Sequence, residues 1–130
     1  MHSHFIIAVV DDDPRILESI GNLLESADHV VRLFASVQAL VESGCLAEIA
    51  CLISDIGMPA IDGLSLVRLV NAERPELPII LITGHSGMQN RLPPVGQGYQ
   101  RLFIKPFDGH ELLTAVSDAL PTSKPRTPAP

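Results

Sequence analysis

One stretch decides the fold of this chain, Cys51-Leu52-Ile53-Ser54-Asp55-Ile56-Gly57-Met58-Pro59. An apolar run of strand length ends on the carboxylate of Asp55, and a turn follows at once. In an α/β domain this pattern predicts that Asp55 lies at the carboxyl end of a buried strand, where open parallel sheets form their ligand crevice. An aspartate that merely begins a loop after a strand would also explain the pattern, so the neighbouring motifs decide between the two.

Three other apolar runs also end in polar side chains of different kinds. They lead into Asp11-Asp12-Asp13, Thr83-Gly84 and Lys105-Pro106. Each motif also has a purely structural explanation. Asp11-Asp12-Asp13 could be a solvated turn with a helix cap, Thr83 a β-branched strand residue, and Lys105 a surface charge. Because the carboxyl ends of parallel strands meet at one edge of a sheet, we expect the four motifs together to form a single site.

Apolar runs alternate along the chain with segments of helical periodicity, which predicts a parallel sheet with helices on both faces. Asp13 and Ser36 are expected to cap the first two helices, and Pro14 suits the first helical position. Asp108 is expected to cap the last helix. The predicted strands are Phe5–Val10, Val30–Phe34, Ile49–Ser54, Ile79–Thr83 and Arg101–Ile104.

The segment between the last two predicted strands departs from this alternation. Residues 84–98 contain Pro93, Pro94 and four glycines. Each proline would cost about 3 kcal/mol inside a helix, and glycine adds to the penalty. We therefore expect at most a turn or two of helix here, so that the fourth helix of the alternation is degenerate.

Length and composition limit the possible classes of protein. The 130 residues, 46% hydrophobic and 18% charged, are typical of a soluble globular domain, and the net charge of −6 argues against a nucleic-acid-binding surface. No apolar run approaches the roughly 20 residues of a membrane helix, and the start lacks a secretory pattern. Cys45 and Cys51 match no metal-binding or redox spacing and are expected to be buried and reduced. These features predict a cytoplasmic protein that contacts no membrane.

The composition changes at the carboxyl end of the chain. Residues 121–130 contain four prolines with Ser, Thr, Lys and Arg, and no large apolar residue. Such a segment cannot bury enough apolar surface to pack on a core. We therefore predict one domain over residues 1–120, followed by a proline-rich tail or linker over residues 121–130.

Three carboxylates at one sheet edge need a counter-ion. Two unit charges about 4 Å apart repel by roughly 4 kcal/mol at an effective dielectric constant near 20, so Asp11, Asp12 and Asp55 would be costly to hold together. A hard divalent cation relieves this repulsion, and an all-oxygen site suits Mg²⁺. With the ammonium of Lys105 and the hydroxyl of Thr83, the site has the groups that stabilise a transferring phosphoryl group, and Asp55 is then the nucleophile.

These motifs resemble those of receiver domains of bacterial two-component response regulators. The resemblance covers about Phe5 to Leu120 and includes Val10-Asp11-Asp12-Asp13, Asp55 to Pro59 with Asp62-Gly63, Ile82-Thr83-Gly84 and Lys105-Pro106-Phe107. It implies a flavodoxin-like, doubly wound sheet of five parallel strands in the order 2-1-3-4-5. The motifs around Asp55 and Thr83 are most similar to receivers that precede a helix-turn-helix DNA-binding domain.

The resemblance also implies a role for each site residue. Asp55 would accept a phosphoryl group from a sensor histidine kinase, and Lys105 would pair with that group. Asp12 would bind Mg²⁺ directly and Asp11 through water, with Asp55 and the Gly57 carbonyl as the other protein ligands. Thr83 would turn towards the phosphate, and the peptide bond between Lys105 and Pro106 would be cis. The domain would act as a switch rather than as an enzyme, with a possible homodimer and no direct contact with nucleic acid.

The chain departs from the family pattern in ways that leave alternatives open. Leu102 stands three residues before Lys105, where receivers usually carry an aromatic residue that takes part in the switch; Phe103 lies beside it and Tyr99 earlier. This substitution and the degenerate fourth helix favour a receiver that works as an interaction module without phosphorylation. A Mg²⁺-dependent phosphatase is a third alternative, disfavoured because Gly57 occupies the place of its second carboxylate. Gly57 and His85 are also expected to affect how long the phosphate survives.

Overall fold

The computed structural model describes residues 5–56, 63–84 and 92–120, which form one parallel sheet covered by helices on both faces. The strand order is β2-β1-β3-β4-β5, and every neighbouring pair is parallel. This confirms the predicted doubly wound, flavodoxin-like architecture. The strands are β1 (Ile6–Val10), β2 (Val30–Phe34), β3 (Cys51–Asp55), β4 (Ile79–Thr83) and β5 (Arg101–Ile104).

Three of the described helices begin directly after the residues whose side chains were expected to cap them. They are α1 (Pro14–Ser26), α2 (Val37–Ser43), α3 (Gly63–Glu73) and α4 (Gly109–Ala119), with a short 3₁₀ turn at Cys45–Ala47. Asp13 accepts a hydrogen bond from the Arg15 amide, and Ser36 accepts one from the Ala39 amide. The Asp108 side chain accepts one from the His110 amide. These bonds satisfy donors that a helix start otherwise leaves open.

The two faces of the sheet carry separate apolar cores, because successive side chains of a strand point to opposite faces. In β3, Leu52 packs with α2 and α3, whereas Cys51 and Ile53 pack with α1 and α4. Every residue of β3 and β4 is buried, as expected for the centre of such a sheet. Both cysteines are buried free thiols, as predicted, and burial raises the pKa of Cys51 to about 12.

The predicted start of the central strand was wrong by two residues. Ile49 was placed in that strand, but its amide donates to the Cys45 carbonyl in the turn that follows the 3₁₀ segment. The strand runs instead from Cys51 to Asp55, and Asp55 itself pairs with Ile82 of β4. The phosphoacceptor candidate is therefore the last residue of a buried strand rather than the first residue of a loop.

Within the described part of the segment between β4 and β5, residues 92–100 form no helix. Tyr99 is buried, and its hydroxyl donates to the Pro93 carbonyl at 2.6 Å. The Asn71 side chain of α3 donates to the Gly98 carbonyl at 3.3 Å. This segment, which we name the Pro93–Gln100 turn, is thus tied to α3. The remainder of the predicted degenerate helix, residues 85–91, lies outside the described residues, as does the tail over residues 121–130.

Candidate functional site

The topology brings the ends of four strands to one edge of the sheet. Asp11 follows β1, Asp55 ends β3, Thr83 ends β4, and Lys105 follows β5. Their strands are aligned so that Val10 pairs with Ser54, Asp55 with Ile82, and Thr83 with Ile104. Parallel pairing in this register places the polar side chains at the strand ends next to one another along the carboxyl edge of the sheet.

Lys105 lies between two buried carboxylates. Its Nζ is 3.0 Å from Asp55 Oδ2 and 3.5 Å from Asp11 Oδ2. The Asp11 and Asp55 side chains are only 2% and 8% exposed. Burial would lower the pKa of Lys105, but the two carboxylates outweigh it and raise that pKa above its ordinary value. The lysine therefore stays charged and partly neutralises the site.

The second oxygen of Asp11 is held by a backbone amide. The Asp13 amide donates to Asp11 Oδ1 at 2.9 Å, which leaves Oδ2 facing Lys105. Burial raises the pKa of Asp11, the hydrogen bond from Asp13 opposes this, and the Asp55 charge adds to the increase. The ionised form of Asp11 is thus disfavoured by its surroundings, which is the condition that a bound cation would relieve.

The donor set suits a hard divalent cation. Carboxylate oxygens of Asp11, Asp12 and Asp55 lie within 4.8 Å of one another, and Asp12 is exposed while the other two are buried. Oxygen ligands with one side open to water match the preference of Mg²⁺ for a partly hydrated site. The fourth predicted ligand, the Gly57 carbonyl, lies outside the described residues.

Thr83 is fully buried at the end of β4. Its carbonyl accepts a hydrogen bond from the Lys105 amide at 2.8 Å, which fixes the start of the loop after β5 against the end of β4. The peptide bond between Lys105 and Pro106 is cis, as the resemblance implied. Thr83 and Lys105 are therefore adjacent at this edge, as their positions after neighbouring strands predicted.

Leu102, which stands where receivers usually carry an aromatic residue, is half-buried against the core shared with α2 and α3. Tyr99 belongs to that same core. Phe103 lies on the opposite face, with its ring centroid 5.8 Å from that of Phe107. Neither Tyr99 nor Phe103 therefore occupies the position of Leu102. Of these two aromatic residues, Tyr99 packs on the same face of the sheet as Leu102, and Phe103 packs on the other.

Two features of the site were missed by the sequence reasoning. One is the main-chain contact from Asp13 to Asp11, since no residue pattern reveals which amide a carboxylate will meet. The other is a groove of about 860 Å³ beside Lys105, lined mainly by apolar groups of α1 and of the loop that leads into α4. Ile16 and Leu23, seven residues apart on α1, line this groove and also pack against the core, so the apolar periodicity of α1 could have indicated an apolar surface here.

Residues 7–117 match the model of the response regulator receiver domain, and the chain belongs to that family. It is 30% identical over 119 residues to the transcriptional regulatory protein FixJ of Bradyrhizobium diazoefficiens, covering 92% of this chain and 58% of that protein. The chain spans about half the length of the curated relatives it matches.

Solved structures agree with this assignment. A response regulator receiver domain protein from Clostridium thermocellum superposes with a TM-score of 0.79 at 26% identity, covering 88% of this chain and 93% of that one. The response regulator TrrA of Thermotoga maritima, in complex with Mg²⁺ and a beryllium fluoride, gives a TM-score of 0.79 at 25% identity, covering 89% and 99%. Among the helices of the described residues, none has the length and apolar character that crossing a membrane requires.

Proposed function

We propose that this receiver domain is switched by phosphorylation of Asp55, with a sensor histidine kinase as the donor and Mg²⁺ as the cofactor. One observation supports this most strongly: Lys105 Nζ lies 3.0 Å from Asp55 Oδ2 at the sheet edge where the Asp11 and Asp12 carboxylates also converge. A phosphoryl transfer needs a nucleophile, a positively charged side chain and oxygen ligands for a metal ion. Asp55, Lys105 and the carboxylate cluster supply these three parts.

The reaction proposed for Asp55 is a single displacement at phosphorus. A carboxylate oxygen of Asp55 forms a new bond to the phosphorus of the kinase phosphohistidine, the phosphorus–nitrogen bond breaks, and the electron pair stays on the imidazole. The product is an acyl phosphate on Asp55. When bound, Mg²⁺ neutralises the phosphoryl oxygens and positions them for this displacement.

The protein residues have separate tasks in this scheme. Asp12 and Asp11 would hold the cation, directly and through water, with Asp55 and the Gly57 carbonyl as the other protein ligands. Lys105 exchanges its carboxylate partners for an oxygen of the new phosphoryl group. Thr83 donates its hydroxyl to the same group, and the movement of Thr83 is the start of the switch. Asp55 turns over once per event, so the domain is a signalling switch rather than an enzyme.

The family and the relatives support the proposed partners of the switch. FixJ is named a transcriptional regulatory protein, and this chain matches only about half of it. We infer that the phosphorylated domain controls transcription through an output segment or partner, with no direct contact between this chain and nucleic acid. Homodimerisation and a cytoplasmic location also stay predictions.

A phosphorylation-independent interaction module is the second candidate. Two observations favour it: Leu102 replaces the usual aromatic residue, and the Pro93–Gln100 turn stands where receivers usually carry a helix. The intact set of Asp55, Thr83 and Lys105 argues against it, because a module that is never phosphorylated has no need for a buried charge cluster.

One experiment separates the candidates. The protein is incubated with Mg²⁺ and acetyl phosphate, and its intact mass is measured beside that of the Asp55→Asn variant. Addition of one phosphoryl group to the wild type alone supports the switch. An unmodified wild type supports the interaction module, and steady release of phosphate from phosphate esters would indicate a phosphatase.

A further inference from the structure

Asp13 makes hydrogen bonds in two directions at the edge of the site. Its side chain Oδ1 accepts from the Arg15 amide at 2.9 Å and so caps α1. Its own amide donates to Asp11 Oδ1 at 2.9 Å. Asp13 therefore connects the N-terminus of α1 to Asp11, the buried carboxylate of the predicted metal site.

The backbone of Asp13 is fixed by further contacts of the helix start. Its carbonyl accepts hydrogen bonds from the Ile16 and Leu17 amides, both at 3.1 Å. Pro14, at the first helical position, has its φ angle set by its ring and offers no amide of its own. The capping side chain, the carbonyl and the proline together hold the Asp13 amide in one direction, which is the direction of Asp11.

This arrangement determines which oxygen of Asp11 faces Lys105. The Asp13 amide engages Oδ1, and Oδ2 accepts from Lys105 Nζ at 3.5 Å, the same ammonium that donates to Asp55 at 3.0 Å. Asp11 has almost no exposure to water, so a rotated carboxylate would lose this bond without replacement from solvent. Outer contacts that orient a ligand in this way commonly change metal affinity strongly.

We propose that Asp13 is a positioning residue of the metal site: by capping α1, its side chain holds its own amide against Asp11 and so orients the Asp11 carboxylate towards a divalent cation. This inference rests on the proposed Mg²⁺ site. It assigns Asp13 a task beyond helix capping, and it does not make Asp13 a ligand.

The chain offers a matched control for this inference. Ser36 caps α2 in the same manner, with its hydroxyl oxygen accepting from the Ala39 amide at 3.0 Å, and among the described residues it does not belong to the carboxylate cluster. Replacing either capping residue by alanine removes one cap of similar strength. A purely structural role for Asp13 would therefore give the two variants the same behaviour towards Mg²⁺.

The test is the dissociation constant of the full chain for Mg²⁺, measured by calorimetry for the wild type, Asp13→Ala, Asp13→Asn and Ser36→Ala. We expect Asp13→Ala to raise the dissociation constant roughly ten-fold. Asp13→Asn, which keeps the cap and removes the charge, should stay within about three-fold of the wild type. Ser36→Ala should lower the melting temperature and leave Mg²⁺ binding unchanged.

Each remaining outcome has a defined meaning. Unchanged Mg²⁺ binding by Asp13→Ala would overturn the positioning role alone, and equal weakening in Asp13→Asn would assign the effect to charge and overturn it too. A wild type that binds no Mg²⁺ would contradict the proposed function itself. If Asp13→Ala does not fold, Asp13→Gly carries the test, since glycine at this position costs only about a few tenths of a kcal/mol.

Discussion

Lys105 Nζ and Asp55 Oδ2 lie 3.0 Å apart although 50 residues separate them in the chain. Asp55 ends β3 and Lys105 follows β5, so the contact joins two strands that are separated in the sheet by β4. Asp11 adds a second carboxylate to the same ammonium at 3.5 Å. The lysine thus compensates two buried charges that the sheet topology forces together, and this relationship connects the fold with the chemistry proposed for Asp55.

Replacing Lys105 by methionine should destabilise the metal-free protein. The variant leaves Asp11 and Asp55 buried without their cation, and removal of one partner from such a pair should cost about 2 kcal/mol or more of unfolding free energy. Urea denaturation in the presence of a chelator measures this loss. Lys124→Met, which changes the only other lysine in the chain, is the control and should behave as the wild type. Equal stability of Lys105→Met and the wild type would show that the lysine compensates nothing.

Asp11→Asn should stabilise the metal-free protein at neutral pH by about 1 kcal/mol. The pKa of Asp11 is raised in the folded state, so its ionised form carries a penalty that is present above the folded pKa. As pH falls through the folded pKa the penalty fades, and below the unfolded value of 3.8 it is gone. The asparagine side chain can still accept from the Asp13 amide.

Denaturation at pH 7 and near pH 4 in a chelator tests the Asp11 prediction. The stability difference between variant and wild type should be larger at pH 7. A difference that is independent of pH, or a variant that is less stable at neutral pH, would contradict it. Addition of Mg²⁺ should reverse the order, because the wild type alone keeps the full set of ligands.

Gly98→Ala should destabilise the protein more than Gly96→Ala. Both glycines have a positive φ angle, +102° and +97°, so an alanine is strained at either position. Only at Gly98 would the new methyl group also meet other atoms, 2.8 Å from Val67 Cγ1 and 3.0 Å from Asn71 Nδ2. We expect losses of about 1 kcal/mol for Gly96→Ala and about 2–3 kcal/mol for Gly98→Ala in chemical denaturation. Equal losses would show that Val67 and Asn71 of α3 move aside for the new methyl group at no cost in stability.

Deletion of residues 121–130 should leave the melting temperature nearly unchanged. The segment contains four prolines and no large apolar residue, so it has little surface to bury on the domain. Calorimetry of the full chain and of residues 1–120 gives the comparison. A fall of several degrees would show that the tail packs on the core.

Local signals in the sequence predicted much of the fold. The pair Asp13-Pro14 marks the start of α1 because a capping oxygen and a residue without an amide both suit that place. Ser36 marks the start of α2 because its side-chain oxygen accepts from the Ala39 amide. Apolar runs identified five strands, and strand-end polar residues identified the edge at which Asp55 and Lys105 meet.

Most features that escaped prediction depend on contacts between distant segments, and one depends on a local turn. The start of β3 shifted because the Ile49 amide donates to the Cys45 carbonyl four residues earlier, although the apolar run continues from this turn into the strand. The shape of the Pro93–Gln100 turn depends on Asn71, 27 residues before Gly98. The groove beside Lys105 exists only once α1 and the loop before α4 lie side by side. Such contacts follow from packing rather than from periodicity.

The most direct test of the account is to locate the phosphoryl group. After reaction with acetyl phosphate and Mg²⁺, borohydride reduction converts an aspartyl phosphate to homoserine, which peptide mass spectrometry places in the chain. The account predicts homoserine at position 55 in the wild type, with none formed when Mg²⁺ is removed by a chelator. Homoserine at Asp11 or Asp12 instead, or no reduction product at any position, would contradict it.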